Sequence, residues 1–203
     1  MKNRTTHHMY SGSLLGLIGL LIWLTQSYGT EPKTGVQDSL HGIPPQIVAD
    51  YVHDVIEADR SLYSTMVVER MQSKAIVHAT ENWKQQDSLP LPAQLLQMAG
   101  RHVAEKGRGI RFRLVSLWPI YERNGPVTDF ERQGLKALLQ NPEQPYTGII
   151  KSGKLRFYQA IYADKAVTQA CVECHNKHPL SPKRDFQRDA VMGGIVITIP
   201  LNG

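Results

Sequence analysis

The feature that most constrains this chain is the segment Cys171-Val172-Glu173-Cys174-His175, because it holds the only two cysteines among 203 residues. Cysteines three positions apart on a helical turn lie on one side of the helix, where their thiols can add to the two vinyl groups of a porphyrin. The histidine that follows then lies under the ring centre and can bind the iron. The motif therefore predicts one covalent c-type haem per chain, attached at Cys171 and Cys174, with His175 as an axial ligand.

Three other chemistries use the same residue types. A disulfide between Cys171 and Cys174 suits an exported protein, but so short a loop would restrict the unfolded chain little. A thioredoxin-like dithiol is expected to open a helix after a strand in a βαβ unit, and this context is different. Both cysteines with His175 and His178 match a zinc site by residue type, although the adjacent Cys174 and His175 are awkward ligands of one tetrahedral ion. These three stay as alternatives to haem.

The N-terminus predicts export. Lys2 and Arg4 precede the uncharged run SLLGLIGLLIWL at residues 13–24, and Ser27-Tyr28-Gly29 places small residues at the two positions that a signal peptidase reads. The run is shorter than the roughly 20 apolar residues of a comfortable membrane span. We therefore expect residues 1–29 to be a cleaved signal peptide, with an uncleaved membrane anchor as the alternative, and the protein to be periplasmic, either soluble or tethered.

The charge balance bears on the class of partner. A formal net charge of +5 is mild, whereas nucleic-acid binding requires a concentrated basic patch. We expect no nucleic-acid partner. The expected partner is instead a redox protein or a membrane sensor protein.

The periodicity of apolar residues predicts an α+β domain over residues 44–203, after a linker at 30–43. Apolar residues near a 3.6-residue period predict a long helix from the proline pair 44–45 to about Lys84 and a second helix from about 92 to 106. Alternating patterns then predict strands, with a third helix between them that Thr128 caps. The strands are expected at 110–118, 146–151, 154–163 and 191–200, and the helix at 128–139. The expected architecture is an antiparallel sheet with long N-terminal helices.

The stretch LRFYQAIYADKAVTQACVECHNKHPLSPKRDFQRDAVMGGIVITIP resembles the C-terminal half of a bacterial family of single-haem c-type proteins with a PAS-like fold. Its members are free cytochromes and periplasmic haem-sensing domains of kinases and chemoreceptors. The segments IRFRLVSLWPIYERNGPVTDFE and LPLPAQLLQMAGRHVAE are similar to preceding parts of the same family, so that the resemblance covers about residues 44–201. It implies a PAS-like sheet that holds haem against the N-terminal helices, attachment at Cys171 and Cys174, and His175 as proximal ligand.

The ligand on the second side of the iron decides the function, because a strong sixth ligand makes an electron carrier and an open position makes a gas sensor or an enzyme. The candidates are Met98, Met66, His102, His53, His78, His178 and Met192. We expect Met98 first, since it lies in the stretch that matches the family. Met66 and then His102 follow, and His102 shares a helical face with Met98.

Basic residues near the predicted site are candidates to bind the haem propionates through charge-assisted hydrogen bonds. They are Arg111, Arg113, Lys183 and Arg184. The expected function is electron transfer or redox sensing in the periplasm. The alternatives are a sensor of a diatomic gas that acts through a partner and a peroxidase-type enzyme. We expect no enzyme, because His102 has no second acid–base group beside it in the sequence.

Overall fold

The computed structural model describes residues 42–201. The predicted signal peptide or anchor at 1–29 and most of the linker at 30–43 lie outside the described residues. Between residues 42 and 201, no helix combines the length and the apolar character needed to cross a bilayer.

The first half of the described chain is helical, as predicted. Helix α1 (Pro45–Leu62) runs on into a π-helix (Tyr63–Glu69) and a short helix α2 (Arg70–Ser73). The predicted helix ends at Ser73, well before Lys84, because Ala75 turns the chain away with a φ of +51°. The next residues instead form two short parallel strands, β1 (Ala79–Thr80) and β2 (Leu89–Pro90).

Two hydroxyls bond backbone carbonyls where the π-helix begins. Ser64 donates a hydrogen bond to the Arg60 carbonyl at 2.7 Å, and Thr65 donates to the Ser61 carbonyl at 2.9 Å. These side chains compete with the backbone amides for the carbonyls four residues back. Such π-helical segments are frequent at functional sites.

The second half forms a four-stranded antiparallel sheet. Its strands are β3 (Arg111–Val115), β4 (Tyr146–Ser152), β5 (Leu155–Lys165) and β6 (Val191–Leu201), in the order β3-β6-β5-β4. Ser152 pairs with Leu155, so the turn is made by Gly153 and Lys154, with Gly153 at a φ of +60°. The predicted α+β class with an antiparallel sheet and long N-terminal helices is confirmed.

Helices cover both faces of this sheet. One face packs on α1 and α3 (Pro92–Glu105), and its buried residues include Tyr158, Tyr162, Ile195 and Ile197. The other packs on α4 (Asp129–Gln140) through a separate apolar cluster. Gly100 lets α3 approach β3 closely, since a Cβ there would lie 2.4 Å from the Phe112 carbonyl oxygen.

A third apolar cluster lies where β5 ends and β6 begins. It contains Ala166, Val172, Phe186 and Met192. Val172 belongs to helix α5 (Gln169–Lys177), which carries both cysteines. The sheet therefore fixes α5 at the end where β3 stops, beside the start of β6.

Candidate functional site

A cavity of about 660 Å³ opens beside α5, bounded by the π-helix, α3, the end of β3 and the start of β6. Its volume falls in the range of about 300–1,000 Å³ that is usual for pockets of small ligands and cofactors. Five of the residues that the sequence predicts as haem attachment sites or iron ligands line this cavity: Met98, Cys171, Cys174, His175 and Met192.

Helix α5 turns Cys171, Cys174 and His175 to the cavity and its apolar side to the core. Thr168 caps the helix, and its hydroxyl accepts a hydrogen bond from the Cys171 amide at 3.4 Å. Cys171, Cys174 and His175 follow at the i, i+3 and i+4 positions of one face, while Val172 is buried in the third cluster. Both cysteines are free thiols.

The imidazole of His175 is held by packing. Its ring meets the ring of Phe186 edge-on, with 5.8 Å between the centroids. Its Nδ1 is buried and has no hydrogen-bond partner among residues 42–201. Burial lowers the pKa of His175, which favours the neutral imidazole, the form that binds metals.

The segment after the motif fixes Phe186 in turn. Asn176 donates to the Phe186 carbonyl at 2.9 Å and accepts from the Phe186 amide at 3.0 Å. The Lys183 ammonium lies 5.2 Å from the Phe186 ring centroid and 5.1 Å from that of Trp118. Lys183 therefore helps to hold the aromatic residue beside His175, and it does not line the cavity.

The structure does not bring the other predicted propionate ligands together. Arg111 lies exposed at the far end of β3, and Arg184 donates to the Pro179 carbonyl at 2.9 Å, so neither lines the cavity. Arg113 does line it, but its Nη2 donates to the buried carboxylate of Glu131 at 2.6 Å. Arg113 is thus already paired.

The structure places the two runner-up distal ligands, Met66 and His102, away from the cavity wall. Met66 has 59% of its surface exposed and points away from the buried Ser64 and Val68, the neighbours that line the cavity. The side chain of His102 is 71% exposed, one turn beyond Met98, and does not reach the cavity wall. Met98 and Met192 remain as the two thioethers there.

The other histidines also lie elsewhere. His53 lines a separate cavity, and His78 is exposed. In His178, Nδ1 accepts from the Leu180 amide at 3.1 Å and Nε2 lies 3.4 Å from a Glu81 oxygen. Both nitrogens of His178 are thus engaged away from the cysteines. Within residues 42–201 no three His, Cys, Asp or Glu side chains are placed to share a metal ion.

The ion pair between Arg60 and Asp164 was not predicted from the sequence. The guanidinium bonds the carboxylate through Nε at 2.6 Å and Nη2 at 2.8 Å, and the side chains are 10% and 8% exposed. Burial opposes the charged form, yet the Asp164 carboxylate raises the pKa of Arg60 above its ordinary value. Both residues line the cavity. One signal was present, since Arg60 continues the buried face of α1 four residues after Ile56.

Comparison with known proteins agrees with the resemblance seen in the sequence. The crystal structure of the cyanobacterial heme-protein Tll0287 matches with a TM-score of 0.49 and 14% identity, covering 79% of this chain and 98% of that chain. No curated protein matches. The model of the Tll0287-like family matches residues 45–200. This match takes in most of the sequence, and the chain therefore belongs to the Tll0287-like family.

Proposed function

We propose that this chain is an exported c-type haem protein that acts in periplasmic electron transfer or redox sensing. The observation that carries the proposal is one cavity of cofactor size, lined by the two thiols of Cys171 and Cys174, the imidazole of His175 and the thioether of Met98. Imidazole and soft sulfur are ligands that suit haem iron. Tll0287, which gives the family its name, is a heme-protein, and membership of the family supports the same cofactor.

Each residue has a distinct part in holding the group. The S–H bond of each cysteine would add across one vinyl group, with sulfur bonding one carbon and hydrogen the other, so that no oxidant is consumed. His175 would bind the iron through Nε2, since its Nδ1 is enclosed by protein. Met98 would supply sulfur from α3. The bound iron supplies one-electron redox chemistry.

The two carboxylates that line the cavity support a role without catalysis. Asp164 is bonded to Arg60 through both oxygens. Glu81 accepts a hydrogen bond from the Tyr121 hydroxyl at 2.9 Å and lies beside His178. A general acid–base group must be free to exchange a proton with substrate. Carboxylates that are already hydrogen-bonded to protein groups fit a structural role in the cavity wall better. We therefore propose that the protein is not an enzyme.

The proposal includes location and partner. Thioether formation in bacteria takes place outside the cytoplasm, so the predicted signal segment and the CVECH motif support each other. The protein would work in the periplasm, soluble or anchored through its N-terminal segment. Its partner would be a redox protein or a membrane sensor protein and not a nucleic acid.

The test is expression with a cytochrome c maturation system. The denatured protein should keep its haem through acid–acetone extraction and give a c-type pyridine haemochrome with one haem per chain. Cys171→Ser and Cys174→Ser should each leave one thioether bond, and His175→Ala should impair haem incorporation. Extractable haem, or zinc in its place, would refute the proposal.

A second measurement separates the two haem functions. Spectra of the reduced protein with and without carbon monoxide report whether the sixth position is filled. An unchanged spectrum favours electron transfer, and rapid binding of carbon monoxide favours the gas sensor.

A further inference from the structure

Five cations line the cavity, and they divide into two kinds. Arg60 and Arg113 are bonded to Asp164 and Glu131. Lys84, Arg101 and Arg123 also line it. These three are exposed, and none of them forms an ion pair within residues 42–201. Three free positive charges thus face a pocket whose own carboxylates are engaged.

Helix α3 carries one of the three cations and is hydrogen-bonded to the segments that carry the other two. Gln94 donates to the Glu81 carbonyl at 2.8 Å, which holds the segment that leads to Lys84. Gln97 donates to Asn124 Oδ1 at 3.3 Å, which holds the short 3₁₀-helix Glu122–Asn124 with Arg123. Arg101 lies on α3 itself, one turn after Gln97.

Two further contacts limit the freedom of Arg123 and of Glu81. The guanidinium of Arg123 lies 4.6 Å from the ring centroid of Tyr121, a cation–π distance. The Tyr121 hydroxyl in turn donates to Glu81. Glu81 is therefore occupied by Tyr121 and His178, and it does not neutralise the free cations.

The positions of the substituents on a porphyrin predict which part of the cavity wall should carry positively charged side chains. Its two vinyl groups and its two propionates lie at opposite edges of the ring. Attachment at Cys171 and Cys174 would fix the vinyl edge against α5, and the propionate edge would point away from that helix. The free cations lie on α3 and on the segments bonded to it, and none of them lies on α5, although Glu81 and Tyr121 of those segments contact His178 at the end of α5.

We propose that Lys84, Arg101 and Arg123 form a carboxylate-binding rim that holds the two haem propionates. This inference rests on the proposed haem function and replaces Arg111 and Arg184 in the role expected from the sequence. Guanidinium groups bind carboxylates with paired, charge-assisted hydrogen bonds. The three positive charges favour the ionised form of both carboxylates.

The test uses the covalent holoprotein and compares wild type, the double variant Arg101→Gln/Arg123→Gln and the control Arg111→Gln, which removes an exposed charge outside the cavity. Reduction potentials are measured from pH 4.5 to 9. The wild type and the control should give the same profile. The double variant should have a lower potential, because fewer cations oppose the ferric charge, and a new pH-dependent region where the freed propionates titrate.

A second readout keeps the inference testable if the double variant matures poorly. The chain with Cys171→Ser and Cys174→Ser is titrated with haem and with haem dimethyl ester, which lacks the carboxylates. Haem should bind about tenfold more tightly than the ester, and Arg101→Gln/Arg123→Gln in that chain should remove the preference.

The outcomes separate the rim from the proposed function. A wild type without covalent haem overturns the function. A wild type with covalent haem, whose potential and ester preference are unaffected by the double variant, overturns the rim alone. So does a loss of preference in Arg111→Gln. A double variant that keeps both properties but reacts more slowly with an anionic reductant would make these cations a surface for acidic partners, which also overturns the rim.

Discussion

At the scale of single residues, two thioethers line the cavity in different settings. Met98 is partly buried on α3, whereas Met192 is 5% exposed and belongs to the apolar cluster behind α5. A methionine already packed among apolar side chains has a structural role without a metal. Met192 packs in the same cluster as Val172 of helix α5, so it lies close to the helix that carries His175. Met98 lies on α3, a different wall of the cavity, and a second ligand opposite His175 is better supplied from there. These settings favour Met98.

Met98→Ala should therefore open the sixth position of the iron. We expect the near-infrared band of methionine-to-iron charge transfer to disappear, the reduction potential to fall and carbon monoxide to bind, because a thioether stabilises ferrous iron. Absorption spectra and a redox titration check this. Met66→Ala removes an exposed methionine and is the matched control. Unchanged spectra in Met98→Ala together with a lost band in Met192→Ala would move the ligand to Met192.

His53 gives a second prediction at this scale. Its ring stacks on Tyr162 with 3.9 Å between centroids, and its Nε2 is buried without a partner. Burial lowers the pKa of His53, although Asp54, Glu57 and Asp50 partly oppose the shift. The unfolded state therefore takes up a proton first as pH falls below about 6.5, the ordinary value, and the stability that neutral His53 contributes above that pH is lost on acidification.

His53→Phe keeps a ring against Tyr162 but cannot titrate. Urea unfolding of the holoprotein at pH 7.5 and pH 5 should show a smaller loss of stability on acidification in this variant than in wild type. His102→Phe, at an exposed position, should behave as wild type. Equal acid sensitivity of His53→Phe and wild type would assign the effect to other groups.

At the scale of elements, the ion pair of Arg60 and Asp164 joins the end of α1 to β5 at the edge of the cavity. Asp164→Asn keeps the shape of the side chain but leaves a buried guanidinium without a counter-charge. Removing one partner of a buried pair typically costs about 3–5 kcal/mol, and we expect a loss of unfolding free energy of this order. Urea unfolding of the holoprotein measures it.

The ion pair of Lys165 and Glu143 is the exposed control for this buried pair, since Lys165 follows Asp164 in β5. The side chain of Glu143 is 80% exposed, and exposed pairs contribute at most about 1 kcal/mol. Glu143→Gln should therefore change the unfolding free energy by less than that amount. Similar losses in Asp164→Asn and Glu143→Gln would mean that burial does not set the strength of these pairs.

Elements with a strong period could be predicted from sequence, and those set by distant contacts could not. The predicted second helix, the Thr128-capped helix and the last two strands match α3, α4, β5 and β6 to within about two residues, since each has a complete apolar face. The π-helix was not predicted, and the helix ends at Ser73 just before the positive φ of Ala75. Periodicity does not record either of these.

The same difference applies to the site. Cys171, Cys174 and His175 lie within one turn of helix, so their spacing alone predicted their common face. Arg60 and Asp164 are separated by more than one hundred residues, and only the packing of α1 on the sheet brings them together. Arg111 and Arg184 were selected for their charge, yet neither lines the cavity, because a sequence does not show the direction in which a side chain points.

At the scale of the whole molecule, the cavity is a space that elements from both halves of the chain share. The π-helix, α3, the end of β3, α5 and the start of β6 all contribute to its wall. The cluster around Leu135, Leu138, Ile161 and Val196, on the opposite face of the sheet, shares only Val115 with the cavity wall. A cofactor in the cavity would therefore link α3 and α5 to the rest of the fold, while α4 is already held by this cluster and by the pair of Glu131 with Arg113.

This asymmetry predicts how the protein without haem should differ from the holoprotein. A group that binds the folded state stabilises it relative to the unfolded chain, and an empty cavity leaves the facing side chains without packing partners. The chain made without a maturation system, with reduced thiols, should unfold at a lower urea concentration than the holoprotein. Hydrogen exchange should be faster in α3 and α5, while α4 stays protected, because local openings follow the density of buried contacts. Equal midpoints and uniform protection in the two forms would show that the fold closes this cavity without its cofactor.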